Sequence, residues 1–137
     1  MGVRNELSKK NPYWIEKHRY LELKHFCLQF PIWQQALASL DGLSKRPIDL
    51  ALFDKGTGHS DPTERCAAAR VFYKDRISMV VDAAKEASPN MWAWLVQGVT
   101  EDLPYNTLKT SRGLPCCKDV YYDLYHKFFY ILNKKRN

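Results

Sequence analysis

Three times in this chain a residue that caps helices stands directly before a proline: Asn11-Pro12, Asp61-Pro62 and Ser88-Pro89. That pairing narrows the fold sharply. Ser, Asp and Asn accept hydrogen bonds from the unpaired N–H groups of a first helical turn. Proline suits the position that follows, because its missing N–H would be unpaired there anyway. Asp61-x-x-Glu64 adds the spacing of a capping box, with Asp in place of the usual Ser or Thr. Pro104 and Pro115 are further openings with weaker caps. After these starts apolar residues recur at steps of three and four, and no segment alternates as a half-buried strand does. The expectation is an all-α fold of about six helices, a helical bundle with a carboxyl-terminal helix–turn–helix.

The first helix is predicted from about Pro12 to Leu28, with Tyr13, Tyr20, Leu23, Cys27 and Phe30 on one side. The second covers roughly Ile32 to Leu40, with Trp33 and Leu37 inward. The third runs from about Pro62 to Ala87 on a stripe of Cys66, Ala69, Tyr73, Ile77, Val80, Ala84 and Ala87. Phe72, Met79 and Ala83 lie beside that stripe, and this second apolar flank suggests a homodimer. A fourth helix spans about Pro89 to Val99, a short fifth about Pro104 to Ser111, and a sixth about Cys116 to Asn133. Residues 41–60 form the one long connection, read as a mobile loop; its Gly56-Thr-Gly58 lacks the further glycine and the lysine of a phosphate loop. The division expected is residues 1–60, an amino-terminal helical region with the loop, and residues 61–137, the long helix plus the helix–turn–helix.

With 137 residues, 45% hydrophobic and 13% aromatic, the chain has material for a real core and is not of disordered composition. No stretch approaches the ~20 apolar residues of a membrane span. The opening MGVRNELSKKN has no apolar segment behind its charges and no Ser or Thr at position 6, so neither a secretory signal nor a myristoylation signal is expected. The expected location is the cytoplasm, with no membrane partner. Cys27, Cys66, Cys116 and Cys117 match no zinc spacing, since a Cys-x-x-Cys pair is missing, and adjacent cysteines bridge each other only with strain. They read as reduced thiols, with no metal and no cofactor. His18, His25, His59 and His126 have no partners that suggest nucleophilic or acid–base work, and Glu16 and Glu22 share no helix face. The chain is not expected to be an enzyme.

Net charge is +6, and it is unevenly spread. Residues 104–137 carry seven Lys and Arg against Asp119 and Asp123, while residues 21–103 carry nine against eleven acids. A basic end of this kind suits a polyanion. The same end reads PYNTLKTSRGLPCCKDVYYDLYHKFFYIL, a short helix, a glycine and a longer helix three residues on, which is the order of a helix–turn–helix. In that reading Leu108 is buried, Gly113 takes positive φ in the turn, and Leu114 plugs the gap between helices. Val120, Leu124 and Phe128, spaced by fours, face the core. The opposite face shows Lys118, Tyr122, Tyr125 and Phe129, flanked by Cys117, Asp119 and His126. With Lys109 and Arg112 from the short helix and its end, the candidate DNA-binding set is Lys109, Arg112, Cys117, Lys118, Asp119, Tyr122, Tyr125 and His126. Spacing alone leaves a second reading open, an ordinary helical hairpin with a solvated basic face.

The segments NPYWIEKHRYLELKHFCLQFPIWQQAL, GHSDPTERCAAAR and LPCCKDVYYDLYHKFFYIL together resemble the ArpU/RinA-type late-gene transcriptional activators of phage and prophage genomes in Gram-positive bacteria. The carboxyl-terminal unit of that family is similar to region 4 of a bacterial sigma factor. The similarity covers most of the chain, is strongest over residues 60–132, and is absent from residues 42–56. It implies binding to double-stranded DNA near a promoter in a bacterial host, activation of phage late genes, and a possible contact with host RNA polymerase. It marks Gly113 as the turn and Cys117, Lys118, Asp119 and Tyr122 as the groove-facing set. Two other jobs stay open: a small terminase-type subunit that recognises a packaging site, and a protein-binding adaptor.

Overall fold

The computed structural model describes residues 8–40 and 62–137, and what is described is all-α. The elements are α1 (Lys17–Leu28), α2 (Phe30–Leu40), α3 (Pro62–Ala87), α4 (Trp92–Glu101), α5 (Tyr105–Ser111) and α6 (Lys118–Arg136). No strand occurs among the described residues. The connection over residues 41–60 and the Asp61 cap lie outside them.

Two of the predicted proline starts shift. α1 begins at Lys17 and not at Pro12. The Asn11 side chain accepts from the Tyr13 N–H at 2.8 Å, and the Asn11 carbonyl accepts from the Trp14 N–H at 3.0 Å. Proline's fixed φ serves such a turn as well as a first helical turn. Tyr13 then packs on Tyr130 with ring centroids 5.5 Å apart. Glu16 becomes the cap, its carboxylate accepting from the N–H groups of His18 and Arg19 at 3.0 and 3.1 Å. The Ser88 hydroxyl likewise accepts from the Met91 N–H, and α4 starts three residues beyond Pro89. Only α3 opens at its proline as expected.

The chain forms two compact units, and they do not follow the division at residue 60. One comprises residues 30–78; the other comprises residues 1–29 with residues 79–137. α3 contributes to both, its residues 62–78 to the first and 79–87 to the second. In the first unit Phe30, Trp33 and Ala36 of α2 and Ala69 and Tyr73 of α3 are buried. Arg70 of α3 donates to the Leu40 carbonyl at 3.2 Å, satisfying one of the open carbonyls at the end of α2.

The second unit carries the candidate site. α1 packs on α4 and α6, and α4 packs on α5 and α6. Its core is made of Leu23 and Cys27 of α1, Val80, Ala83 and Ala84 of α3, Leu95 of α4, Leu108 of α5, and Phe128 and Leu132 of α6, all fully buried. Gly98 lets α4 and α6 close together. A Cβ there would run into the Tyr121 hydroxyl and stand 3.1 Å from Cδ1 of Leu108.

Candidate nucleic-acid interface

α5 enters on Pro104, whose φ of −73° and ψ of 162° are extended. It ends at Arg112, and Gly113 then takes φ +72°. A side chain at that φ would be strained, although among the described residues nothing lies within 4 Å of where a Cβ would stand. The Leu108 carbonyl accepts from both the Arg112 and the Leu114 N–H at 3.1 Å, which folds the turn back on α5. Leu108 and Leu114 are both buried, as the pattern predicts. Tyr105 donates its hydroxyl to the Cys116 carbonyl at 2.9 Å, tying the start of α5 to the approach of α6. Cys117 caps α6 with an extended backbone but makes no side-chain cap bond.

Of the predicted site residues, Lys109, Cys117, Lys118 and Asp119 stand exposed here. The Asp119 carboxylate sits in the first turn of α6, where it complements the positive end of the helix dipole. Among the described residues no ion pair engages Lys109 or Lys118. Arg112 is also exposed, but its guanidinium is turned onto α4. It donates to Gln97 at 2.7 Å and to Glu101 at 3.1 Å, while its carbonyl accepts from the Trp94 indole at 2.8 Å. Arg112 therefore clamps the turn to α4 instead of reaching outward.

The register of α6 differs from the predicted one. Tyr125, His126 and Phe129 are not on an outer face: they are 7%, 8% and 1% exposed. The Tyr125 and Tyr20 hydroxyls share a hydrogen bond of 2.5 Å, and Phe129 lies edge-on to Tyr20. Tyr122 is half-buried, its ring edge-on to Tyr121 and Tyr125. Of the predicted core stripe only Phe128 is buried; Leu124 is half-buried, and Val120 is 44% exposed. The observed stripe is Tyr121, Tyr125, Phe128, Phe129 and Leu132. Aromatic rings bury far more apolar area than Val or Leu, so they take the core and rotate the helix by about one residue. Val120 is the surface residue that spacing missed. Steps of four from either start collect apolar side chains, Val120, Leu124, Phe128 and Leu132 on one stripe and Tyr121, Tyr125 and Phe129 on the other.

The basic carboxyl end is largely engaged within its own unit. Lys135 pairs with Glu86 at 2.5 Å, and Arg136 lies over the Phe26 ring at 4.0 Å and beside Glu22 at 3.9 Å. Lys134 lies over Tyr130. Arg19 of α1 donates to Asn133 and Asn137 at 2.6 and 3.0 Å and pairs with Glu22. The terminal charge run thus fastens the end of α6 to α1 and α3. The positive charge near the turn that no ion pair engages among the described residues comes from Lys109 and Lys118.

Buried hydroxyls and thiols in this unit are held neutral. Burial pushes the Tyr20, Tyr121 and Tyr125 hydroxyls and the Cys27 thiol above their ordinary ranges. Burial, and next the neighbouring Cys117, also raise Cys116, with Lys109 pulling the other way. No group of three or more His, Cys, Asp or Glu that could hold a metal comes together among the described residues. None of their helices is long and apolar enough to cross a membrane. No protein-family model, curated protein or solved structure matches the chain.

Proposed function

We propose that the chain is a sequence-specific DNA-binding regulator of transcription, with α5, the Gly113 turn and α6 as a helix–turn–helix reading unit. One observation carries the reading. Lys109 and Lys118, two cations without an ion pair among the described residues, flank a positive-φ glycine turn and the exposed first turn of a long helix. A recognition helix presents its amino-terminal side chains to base edges, while flanking Lys residues meet phosphate. The reading set is Lys109, Cys117, Lys118, Asp119 and Val120, with Tyr122 at its margin. Val120 offers methyl groups suited to the methyl of thymine. A second copy of the chain would suit two half-sites, and Ile32 and Val71, exposed on α2 and α3, offer apolar surface for it. Activation of phage late genes, with a contact to the host RNA polymerase, extends this reading along the resemblance given above.

The test is binding to a duplex selected from a random library, followed by fluorescence anisotropy across salt concentrations. Log affinity should fall linearly with log salt. Lys118→Ala should reduce the slope by about one unit if Lys118 meets phosphate, or cost about 1–3 kcal/mol at one base position if it meets guanine. Light scattering of the complex should give two chains. Affinity that ignores salt between ~50 and ~200 mM would remove DNA as the partner. Transcription in vitro from a template carrying the selected site separates an activator, which raises transcript yield, from a packaging protein, which does not.

A further inference from the structure

The DNA reading leaves the pairing of Cys116 with Cys117 unused. Both thiols are free. Cys117 is exposed and its side chain makes no cap bond, so no bond among the described residues commits that sulfur. Cys116 is half-buried, and the Tyr105 hydroxyl holds its carbonyl at 2.9 Å. Neighbouring Cα atoms are about 3.8 Å apart, so both sulfurs hang from one short tether. They also precede the hydrogen-bonded ladder of α6, where the Tyr121 N–H donates to the Cys117 carbonyl at 3.0 Å. Turning the two side chains toward each other breaks no bond of the helix.

Coordination chemistry narrows what such a pair can hold. A direct disulfide between neighbours forces strained geometry, because the S–S bond is short. Structural zinc wants four ligands, and no third metal-binding side chain joins the pair among the described residues. What remains is a soft centre that needs two sulfurs and no more. We propose that Cys116 and Cys117 form a vicinal dithiol site for a monosubstituted trivalent arsenical. In the reaction two As–S bonds form and the arsenic–oxygen bond breaks. The two thiol protons leave with that oxygen as water, arsenic stays trivalent, and no oxidant is consumed. Cys27 is fully buried and Cys66 stands in the other unit, so neither supplies a second adjacent thiol. The site gives soft electrophiles a foothold at the entrance of α6.

The experiment uses the full chain, phenylarsine oxide at one equivalent, and native mass spectrometry. One phenylarsenic group should add per chain with loss of one water. It should persist in excess 2-mercaptoethanol and leave with 2,3-dimercaptopropanol, since two tethered thiols hold their centre at high effective concentration. Cys116→Ser and Cys117→Ser should each lower retention against the monothiol by about 10²-fold or more, and Cys66→Ala should not. Serine is a better helix cap than cysteine, so loss of the group in Cys117→Ser cannot be ascribed to a failed fold. That variant alone decides the matter if Cys116→Ser does not fold. Retention unchanged in Cys117→Ser, or lost in Cys66→Ala, would overturn the site. Because the readout is arsenic and not DNA, the result stands apart from the regulator reading.

Discussion

Two tyrosine hydroxyls in the core of α6 meet opposite fates. That of Tyr125 is paired with Tyr20, while that of Tyr121, on a side chain 2% exposed, has no hydrogen-bond partner among the described residues. A buried hydroxyl without a partner costs about 1–3 kcal/mol of lost hydration. Tyr121→Phe keeps the ring and removes the orphan, so chemical denaturation should find it neutral or stabilising by up to about 1 kcal/mol. Gly98→Ala tests the same contact from the other side. Alanine gains about 1 kcal/mol of helix propensity over glycine. Its methyl, however, meets a hydroxyl at the end of a rigid ring, and overpacking costs about 1–3 kcal/mol. The clash should win, and Gly98→Ala should destabilise. In the Tyr121→Phe background the hydroxyl is gone, the approach to Cδ1 of Leu108 at 3.1 Å remains, and the loss caused by Gly98→Ala should shrink. Strict additivity of the two changes would mean that α4 and α6 do not meet at this point.

The faces of α6 are tested by a contrast between two apolar positions. Phe128→Ala should cost about 3–5 kcal/mol, because it empties a fully buried site where α6 meets its neighbours. Val120→Ala, at an exposed position in the first turn, should stay within about 0.5 kcal/mol of the parent. Equal losses at the two positions would contradict the register. At this scale the sequence was partly legible. The end of α5, the positive φ of Gly113 and the buried Leu114 plug all follow from residue types, because only a few side chains tolerate those backbone angles. The face of α6 was not fixed by periodicity, since apolar residues fill two adjacent stripes and ring size decides between them. Arg112 was legible as a cation but not as a clamp, because Gln97, Glu101 and Trp94 come from another helix. Asn11-Pro12 misled for a local reason: the signal for a first helical turn is also the signal for a tight turn.

At the scale of the molecule, the second unit concentrates neutral acids in its core. Tyr20 and Cys27 of α1 and Tyr121 and Tyr125 of α6 all lie there, and burial is the first cause of each upward shift. The same hydroxyls and thiol titrate near 10.0 and 9.0 when water reaches them. The folded state therefore holds its protons to higher pH than the unfolded chain does. Stability is then fully present below those ordinary values and is lost as pH rises through them toward the raised folded ones. Melting temperature should hold level from neutral pH to about pH 9 and then fall steeply. Absorbance at 295 nm should show three of the eight tyrosines ionising with the loss of helix and not before it. Tyr125→Phe separates the two consequences of the pair. At neutral pH it leaves the Tyr20 hydroxyl without its partner and should cost about 1–3 kcal/mol. Above pH 10 it also removes one of the groups that must be kept protonated, so the alkaline fall should be shallower than in the parent chain. A melting temperature that stays flat to pH 10.5, or three early tyrosinates in the still-folded chain, would show that water reaches these hydroxyls. The packing of α1 against α6 would then be looser than the 2.5 Å contact between Tyr20 and Tyr125 requires.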